Sequence, residues 1–468
     1  MISVTCSLPI RKDDSSQLEY GDISEICRQI KGDSIYGTFG EIPDSFWDDG
    51  KELLQFTDFI NTVVEVIPHD VPSKPTEGFY HCKFELHFDE GFFKPQEGGI
   101  QQLIGILAGD LFYLSMPGYC FSEVSITNID YGGFLDTCRQ AFCNHRQNGI
   151  QHVRESFQLQ DGEPLLAFSI KPRVGLSMEK LKQVAIGVAE AGVNIIEMDT
   201  RFVLSNEFEL QNLIDIAREV SEIGDAKRRK CRFSPNFSFD SGRALPLIQK
   251  FVEASQDPAV IKIDFSLDGL ATLQAVRKSN DIEVQPIITC YPLLKSVFSK
   301  FLPNNSIIEL LSANGVDIMY PGGCPEFTKR GTRHLDRSNV RLGQQRYIDI
   351  IGAGQYMPSV AGGVHASELH AYYELLGPNA AYFIGGGIAL HNKGPTEGAK
   401  LCRKIIDEAI KLRRNDHSSA PQSFSGGLSS THENFHTPAK YSKNVFDYVD
   451  PSSAFEELNV QSFFQRFN

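Results

Sequence analysis

The sequence predicts an α/β protein: a C-terminal (β/α)8 TIM barrel preceded by a small α+β, ferredoxin-like N-terminal domain. Three observations carry this prediction. From Leu165 onward, strand-like runs alternate with helical stretches eight times over ~250 residues, the repeat of a (β/α)8 barrel. Several of these runs are continuously apolar or nearly so, such as LLAFSI at 165–170, as parallel strands covered on both faces require. Before residue 150, strands and helices mix without regular alternation, which fits a small α+β domain. The expected organisation is therefore residues 1–150 as the N-terminal domain, 151–415 as the barrel, and 416–468 as a polar linker with an aromatic C-terminal tail.

In the first region, Asp22 to Lys31 has helical character and leads into Ser34–Phe39. FINTVVEVI and FYHCKFELHF read as strands, the second alternating in places with period 2. GGIQQLIGILAGDLFYL has helical spacing, and YCFSEVSITNIDY reads as one further strand. The barrel strands follow at 165–170, 194–199, 232–238, 259–266, 284–290, 316–320, 356–361 and 380–384, with helical stretches such as ELQNLIDIAREVSEIG and TEGAKLCRKIIDEAIKL between them. Beyond Arg414, residues 416–440 are rich in Ser, Gly, His, Thr and Asn, the composition of a linker. The aromatic tail reads as a strap over the barrel or a recognition segment for another protein.

A chain of 468 residues has room for two or three domains of ~100–200 residues. Its formal charge of −14 argues against nucleic acid or an anionic membrane as main partner. Ten cysteines without a CxxC pair read as reduced thiols of a cytoplasmic protein. No run approaches the ~18 uninterrupted apolar residues of a membrane span.

The stretch from Leu165 to Thr200 is strand, helix, strand. Ser177 stands at the N-cap of the helix, Gly192 closes it, and NIIEMD follows. A βαβ unit brings the ends of its two strands to one rim, so Lys171, Glu197 and Asp199 are expected to converge there. Glu197 and Asp199, two residues apart, share a strand face and need a cation. That cation is Mg²⁺, or a salt bridge from Lys171 or Lys262 with no metal bound. Arg173 depresses the Lys171 pKa or holds an anion. Gly362–Gly363 and Gly385–Gly386 follow strands 7 and 8, where barrels often bind phosphate.

The run Ser169-Ile170-Lys171-Pro172-Arg173-Val174-Gly175-Leu176-Ser177 resembles the first barrel-strand motif of the RuBisCO large chain, T-x-K-P-K-x-G-L-S. Gly37-Thr38, Ala361-Gly362-Gly363-Val364-His365 and Gly385-Gly386-Gly387 follow in the same order. The resemblance implies that Lys171 handles protons on an enediol, that the glycine loops grip a phosphate, and that the N-terminal domain caps the site of a partner subunit in a homodimer. The departures are informative too. Where the family has a carbamylated lysine holding Mg²⁺ in a Lys-Asp-Asp-Glu run, this chain reads Glu197-Met198-Asp199-Thr200. The family's second phosphate grip falls at Tyr291-Pro292, Met319-Tyr320 and Ala361, and its mobile catalytic lysine has no counterpart between Pro321 and Phe327. The family's asparagine in the small domain falls at Tyr119.

This pattern is similar to a RuBisCO-like protein that does not fix CO₂. Such relatives enolise or isomerise phosphorylated ketose-like substrates, among them methylthio-sugar phosphates. The expected reaction is proton abstraction α to a carbonyl, with Lys171 as acid or base and Arg173 or a cation on the enolate oxygen. Two other readings remain open: a catalytically silent binding or regulatory protein, and a decarboxylase of a phosphorylated sugar acid. The basic stretch Lys329 to Arg346 reads as a solvated face or an aid to a phosphorylated ligand, and His365 and His391 as structural histidines or proton carriers.

Overall fold

The computed structural model describes residues 1–36, 64–68, 74–108, 116, 118–122, 124–143, 149–199, 203–204, 210–255, 258–266, 268–292, 303, 306–320, 356–362, 364 and 366–417. The chain divides into two compact units. One takes Met1–His145 and Leu294–Asn314, the other Arg146–Leu293 and Gly315–Asn468.

The first unit is built on β1 (Ile2–Lys12), an eleven-residue strand that the sequence reading passed over. Its Ile2, Val4, Cys6, Leu8 and Ile10 alternate with more exposed residues and are all buried, the period of a strand with one face on a core. Helix α1 (Tyr20–Tyr36) follows, burying Ile23, Ile26 and Ile30. Next come β2 (Val64–Pro68), β3 (Tyr80–Phe88), α2 (Gly99–Ala108), β4 (Tyr119–Phe121), β5 (Ser125–Asp130) and α3 (Phe134–Cys143). The sheet is antiparallel, ordered β2-β3-β1-β4, with β5 also on β1. YCFSEVSITNIDY, read as one strand, is two. β4 pairs with Ile10–Lys12 and β5 with Ser3–Ser7, and the Ser122 N–H donates to the Pro9 carbonyl (3.0 Å) at the break between them.

The second unit opens with α4 (Gly149–Ser156), then β6 (Leu165–Ser169), β7 (Val174–Leu176), α5 (Met178–Glu190), β8 (Ile195–Glu197), β9 (Val203–Leu204), α6 (Leu210–Ala226), β10 (Arg232–Ser234), α7 (Ser241–Ala254), β11 (Val260–Lys262), α8 (Gly269–Lys278) and β12 (Ile287–Cys290). Helix α9 (Ser306–Ala313) belongs to the first unit, where it packs on α3 and accepts, at the Ser306 carbonyl, the Tyr131 hydroxyl (3.1 Å). The chain returns with β13 (Ile318–Met319), β14 (Met357–Val360), α10 (Ala366–Leu376), β15 (Ala381–Ile384), α11 (Gly386–Ala389) and α12 (Pro395–His417).

Eight strands form one parallel sheet in the order β10-β8-β6-β15-β14-β13-β12-β11. A bridge between Asn236 and Lys262 brings its two ends together, with Lys262 N–H donating to the Pro235 carbonyl and Phe237 N–H to the Lys262 carbonyl, both at 2.9 Å. The fold is thus the expected (β/α)8 barrel, preceded in the chain by an α+β sheet domain. The observed ladders are shorter than the apolar runs: within 259–266 the strand covers only Val260–Lys262, although the Ile263 and Phe265 N–H groups still donate to the Thr289 and Tyr291 carbonyls (3.0 and 3.1 Å).

Inside the barrel the residues are layered. Leu165, Ala167, Ile195, Val260, Ile287, Ile318, Met357, Ala381 and Phe383 form one apolar cluster, closed below by Val153 and Phe157 from α4 and the turn after it. Side chains two residues further along a strand point the same way. Directly above this layer therefore stand Ser169, Glu197, Lys262 and Thr289, so the interior changes from oil to charge within one pleat. The nine described cysteines are all free thiols. Among the described residues no helix is long and apolar enough to cross a membrane.

Candidate active site

The polar layer is held by one buried ion pair. The Lys262 ammonium lies 2.7 Å from Glu197 Oε1, and the two residues are only 4% and 2% exposed. Thr289 donates its hydroxyl to Glu197 Oε2 (2.8 Å) and Ser169 its hydroxyl to Oε1 (3.4 Å), so two adjacent strand pairs, β6 with β8 and β11 with β12, converge on one carboxylate. Lys262 also faces Asp264 Oδ1 at 3.4 Å. Asp264 is fixed in turn by the Tyr291 N–H (2.9 Å) and the Asn236 amide (3.3 Å). Burial pulls the Lys262 pKa down, but Asp264 and Glu197 more than offset this and raise it. The group is an ammonium at any physiological pH.

One turn of chain higher sits a second cluster. Lys171 and Arg173 both contact Asp199 Oδ2, the arginine through Nε at 2.7 Å. Asp199 is buried, whereas the Lys171 side chain keeps 30% of its exposure. Burial, aided by the Arg173 and Lys262 cations and opposed by Glu197, lowers the Lys171 pKa to about 8. The carboxylate oxygen it touches is shared with Arg173 and is not a partner for Lys171 alone. Local chain geometry delivers this lysine: Ser177 caps α5 by accepting from Lys180 N–H (3.2 Å), and Gly192, at φ +85°, ends the helix so that β8 returns beside β6.

The glycine loops leave adjoining strands. β14 pairs with β15 and β15 with β6, so Gly362, Gly385 and Lys171 follow three consecutive strands. Gly385 lies against Lys171: a Cβ there would stand 3.0 Å from the lysine Cε. Gly386 opens the short α11, and Gly362 has φ +80°, a conformation open to glycine. Gly363, His365, Thr200 and the stretch from Lys329 to Arg346 lie outside the described residues. His391 is buried at the end of α11, with Nδ1 accepting from Lys393 N–H (3.2 Å). Where the resemblance puts the second phosphate grip, Tyr291 and Tyr320 stack face to face, centroids 5.1 Å apart and planes 6° from parallel. Burial foremost, and Tyr291 beside it, raise the Tyr320 phenol.

The donor set does not suit a divalent cation. Mg²⁺ needs one or two carboxylates open to it together with water or substrate oxygens. Here Glu197 and Asp199, the two expected ligands, are each engaged by cations of the chain, Lys262 on one and Lys171 with Arg173 on the other. Among the described residues no three His, Cys, Asp or Glu side chains gather as metal ligands. The sequence reading offered a Lys262 bridge to Glu197 as an alternative; it missed Asp264, Asn236 and Thr289. A signal for the first was present in AVIKIDFS, where Lys262 and Asp264 interrupt an otherwise apolar buried run at spacing i, i+2.

No protein-family model matches the chain. It is 22% identical over 324 residues to a ribulose bisphosphate carboxylase of Pyrococcus horikoshii, covering 68% of this chain and 71% of that one. With a ribulose bisphosphate carboxylase-like protein of Archaeoglobus fulgidus it shares 23% over 273 residues, 56% of this chain and 60% of the relative. Among solved structures, the octameric Rubisco of Pyrococcus horikoshii superposes with a TM-score of 0.63 at 17% identity, over 89% of this chain and 91% of that one. A rubisco-like protein of Alicyclobacillus acidocaldarius gives 0.63 at 15%, over 88% and 94%. A dimeric archaeal Rubisco of Hyperthermus butylicus gives 0.62 at 18%, over 87% and 91%. The chain is a relative of the ribulose bisphosphate carboxylases and the RuBisCO-like proteins, and it has the RuBisCO fold.

Proposed function

We propose that the chain is an enolase- or isomerase-type enzyme, not a carboxylase, that abstracts a proton α to the carbonyl of a ketose-like substrate carrying one phosphate. The observation that carries the reading is Lys171 on the strand beside the Gly385 loop, with its pKa lowered to about 8. An amine in that range is neutral in a useful fraction at working pH and accepts a proton at Nζ. Gly362 and Gly363 with Gly385 and Gly386 are the proposed phosphate cradle, with backbone N–H groups aimed at its oxygens. Arg173, fixed by Asp199, supplies a permanent positive charge for the developing enolate oxygen. The substrate's far end meets the Tyr291–Tyr320 stack, which suits an uncharged substituent such as a methylthio group better than a second phosphate. We place the working form as a homodimer.

The test is exchange of the α-proton of ketose monophosphates for deuterium in D₂O, followed by NMR. Exchange that Lys171→Ala abolishes supports the reading. A wild-type chain that binds these phosphates but exchanges nothing supports a silent binding protein instead, a reading favoured by the direct Lys171–Asp199 contact, which gives the amine a partner within the chain.

A further inference from the structure

The Lys262 ammonium sits where the polar layer of the barrel offers its carboxylates, and no other described cation reaches Glu197 so closely. It is nearly sealed from solvent, held by two carboxylates, and fixed by an apolar floor below. A lysine buried in this way costs desolvation that only a compensating role or tight pairing offsets. Pairing alone would satisfy it at the bottom of any barrel. Here, however, it stands at the level from which the Lys171 cluster rises, close enough to lower the Lys171 pKa. On the same level, Ser234 is fully buried and in register with Glu197 on the neighbouring strand, so its side chain faces the same interior. Its hydroxyl has no partner among the described residues and can bond a ligand oxygen that reaches this depth.

We propose that Lys262 is a built-in replacement for the divalent cation of the RuBisCO site: its ammonium satisfies the polar-layer carboxylates Glu197 and Asp264, and the protein binds its ligand without a metal. The inference deepens the enolisation reading, because it names what replaces the metal's charge near the Lys171 centre. It also explains the sequence departure in one step. With Glu197 in place of the carbamylated lysine, a carboxylate is brought to the axis, and a lysine from β11 neutralises it.

Mn²⁺ is the probe, since carboxylate sites accept it and its electron paramagnetic resonance signal reports binding directly. The full-length wild-type protein, titrated with Mn²⁺, is expected to take up none stoichiometrically, and its melting temperature is expected to ignore both Mn²⁺ and EDTA. Lys262→Met releases Glu197 and Asp264 and is expected to gain a Mn²⁺ site that the double variant with Glu197→Gln loses. One Mn²⁺ per wild-type chain, lost in Glu197→Gln, overturns the proposal, as does a Lys262→Met variant that folds but gains no site. Should Lys262→Met not fold, the wild-type titration decides alone. Uptake is read without turnover, so a metal-blind chain that exchanges no α-proton sinks the enolisation reading and leaves this one standing.

Discussion

Lys171 and Glu197 differ in character: the first keeps 30% of its side-chain exposure, whereas the second is sealed in the polar layer. With its pKa at about 8, Lys171 is mostly protonated below that pH and mostly neutral above it. If neutral amine is the base, the rate of α-proton exchange rises with pH through about 8 and levels off beyond, and a pH–rate profile checks this. Replacing Gly385 by alanine puts a methyl 3.0 Å from the Lys171 Cε, so exchange is expected to fall while the circular dichroism spectrum stays unchanged. Glu197→Gln leaves the Lys262 ammonium with Asp264 as its one carboxylate, and urea denaturation is expected to show a loss of about 3 kcal/mol. At this scale the sequence marked Lys171, Arg173, Glu197 and Asp199 as candidates, because a motif or a strand end pointed to each. Which cation meets which carboxylate was not legible: Lys262 and Glu197 are 65 residues apart, and only barrel closure makes them neighbours.

The elements divide by the strength of their local signals. Helix α5 was readable from both ends, since Ser177 and Gly192 are a cap and a stop with backbone reasons. Ser177→Ala orphans the Lys180 N–H, and a denaturation midpoint shift worth about 1 kcal/mol is expected with no change in slope. Strand β1 was missed although its period of 2 is plain over Ile2–Ile10. Pro9 argues against a strand by its missing N–H, and it is tolerated because it falls in the gap between the partners of β5 (Ser3–Ser7) and β4 (Ile10–Lys12), the side its carbonyl faces. The short ladders of β10, β11 and β13 could not be read from apolar runs either. Hydrophobicity reports burial, and burial continues past the paired residues, as at Ile263 and Phe265 beyond β11.

For the whole molecule, alternating strands and helices established the barrel, and mixed order established the small sheet domain. A homodimer predicts a mass of twice the 52.2 kDa chain by light scattering, and a single-chain mass would remove the capping role proposed for the first unit. The placement of α9 was beyond reach of the sequence, because nothing in SIIELLSA tells which unit its apolar face will join. Its membership in the first unit constrains biosynthesis. As the polypeptide emerges from the ribosome, the small unit stays one helix short until residue 314 has been translated, by which time five of the barrel strands are already outside. The nascent chain must therefore keep two unfinished cores from aggregating at once, and a gene split after residue 145 would yield a fragment that cannot complete itself.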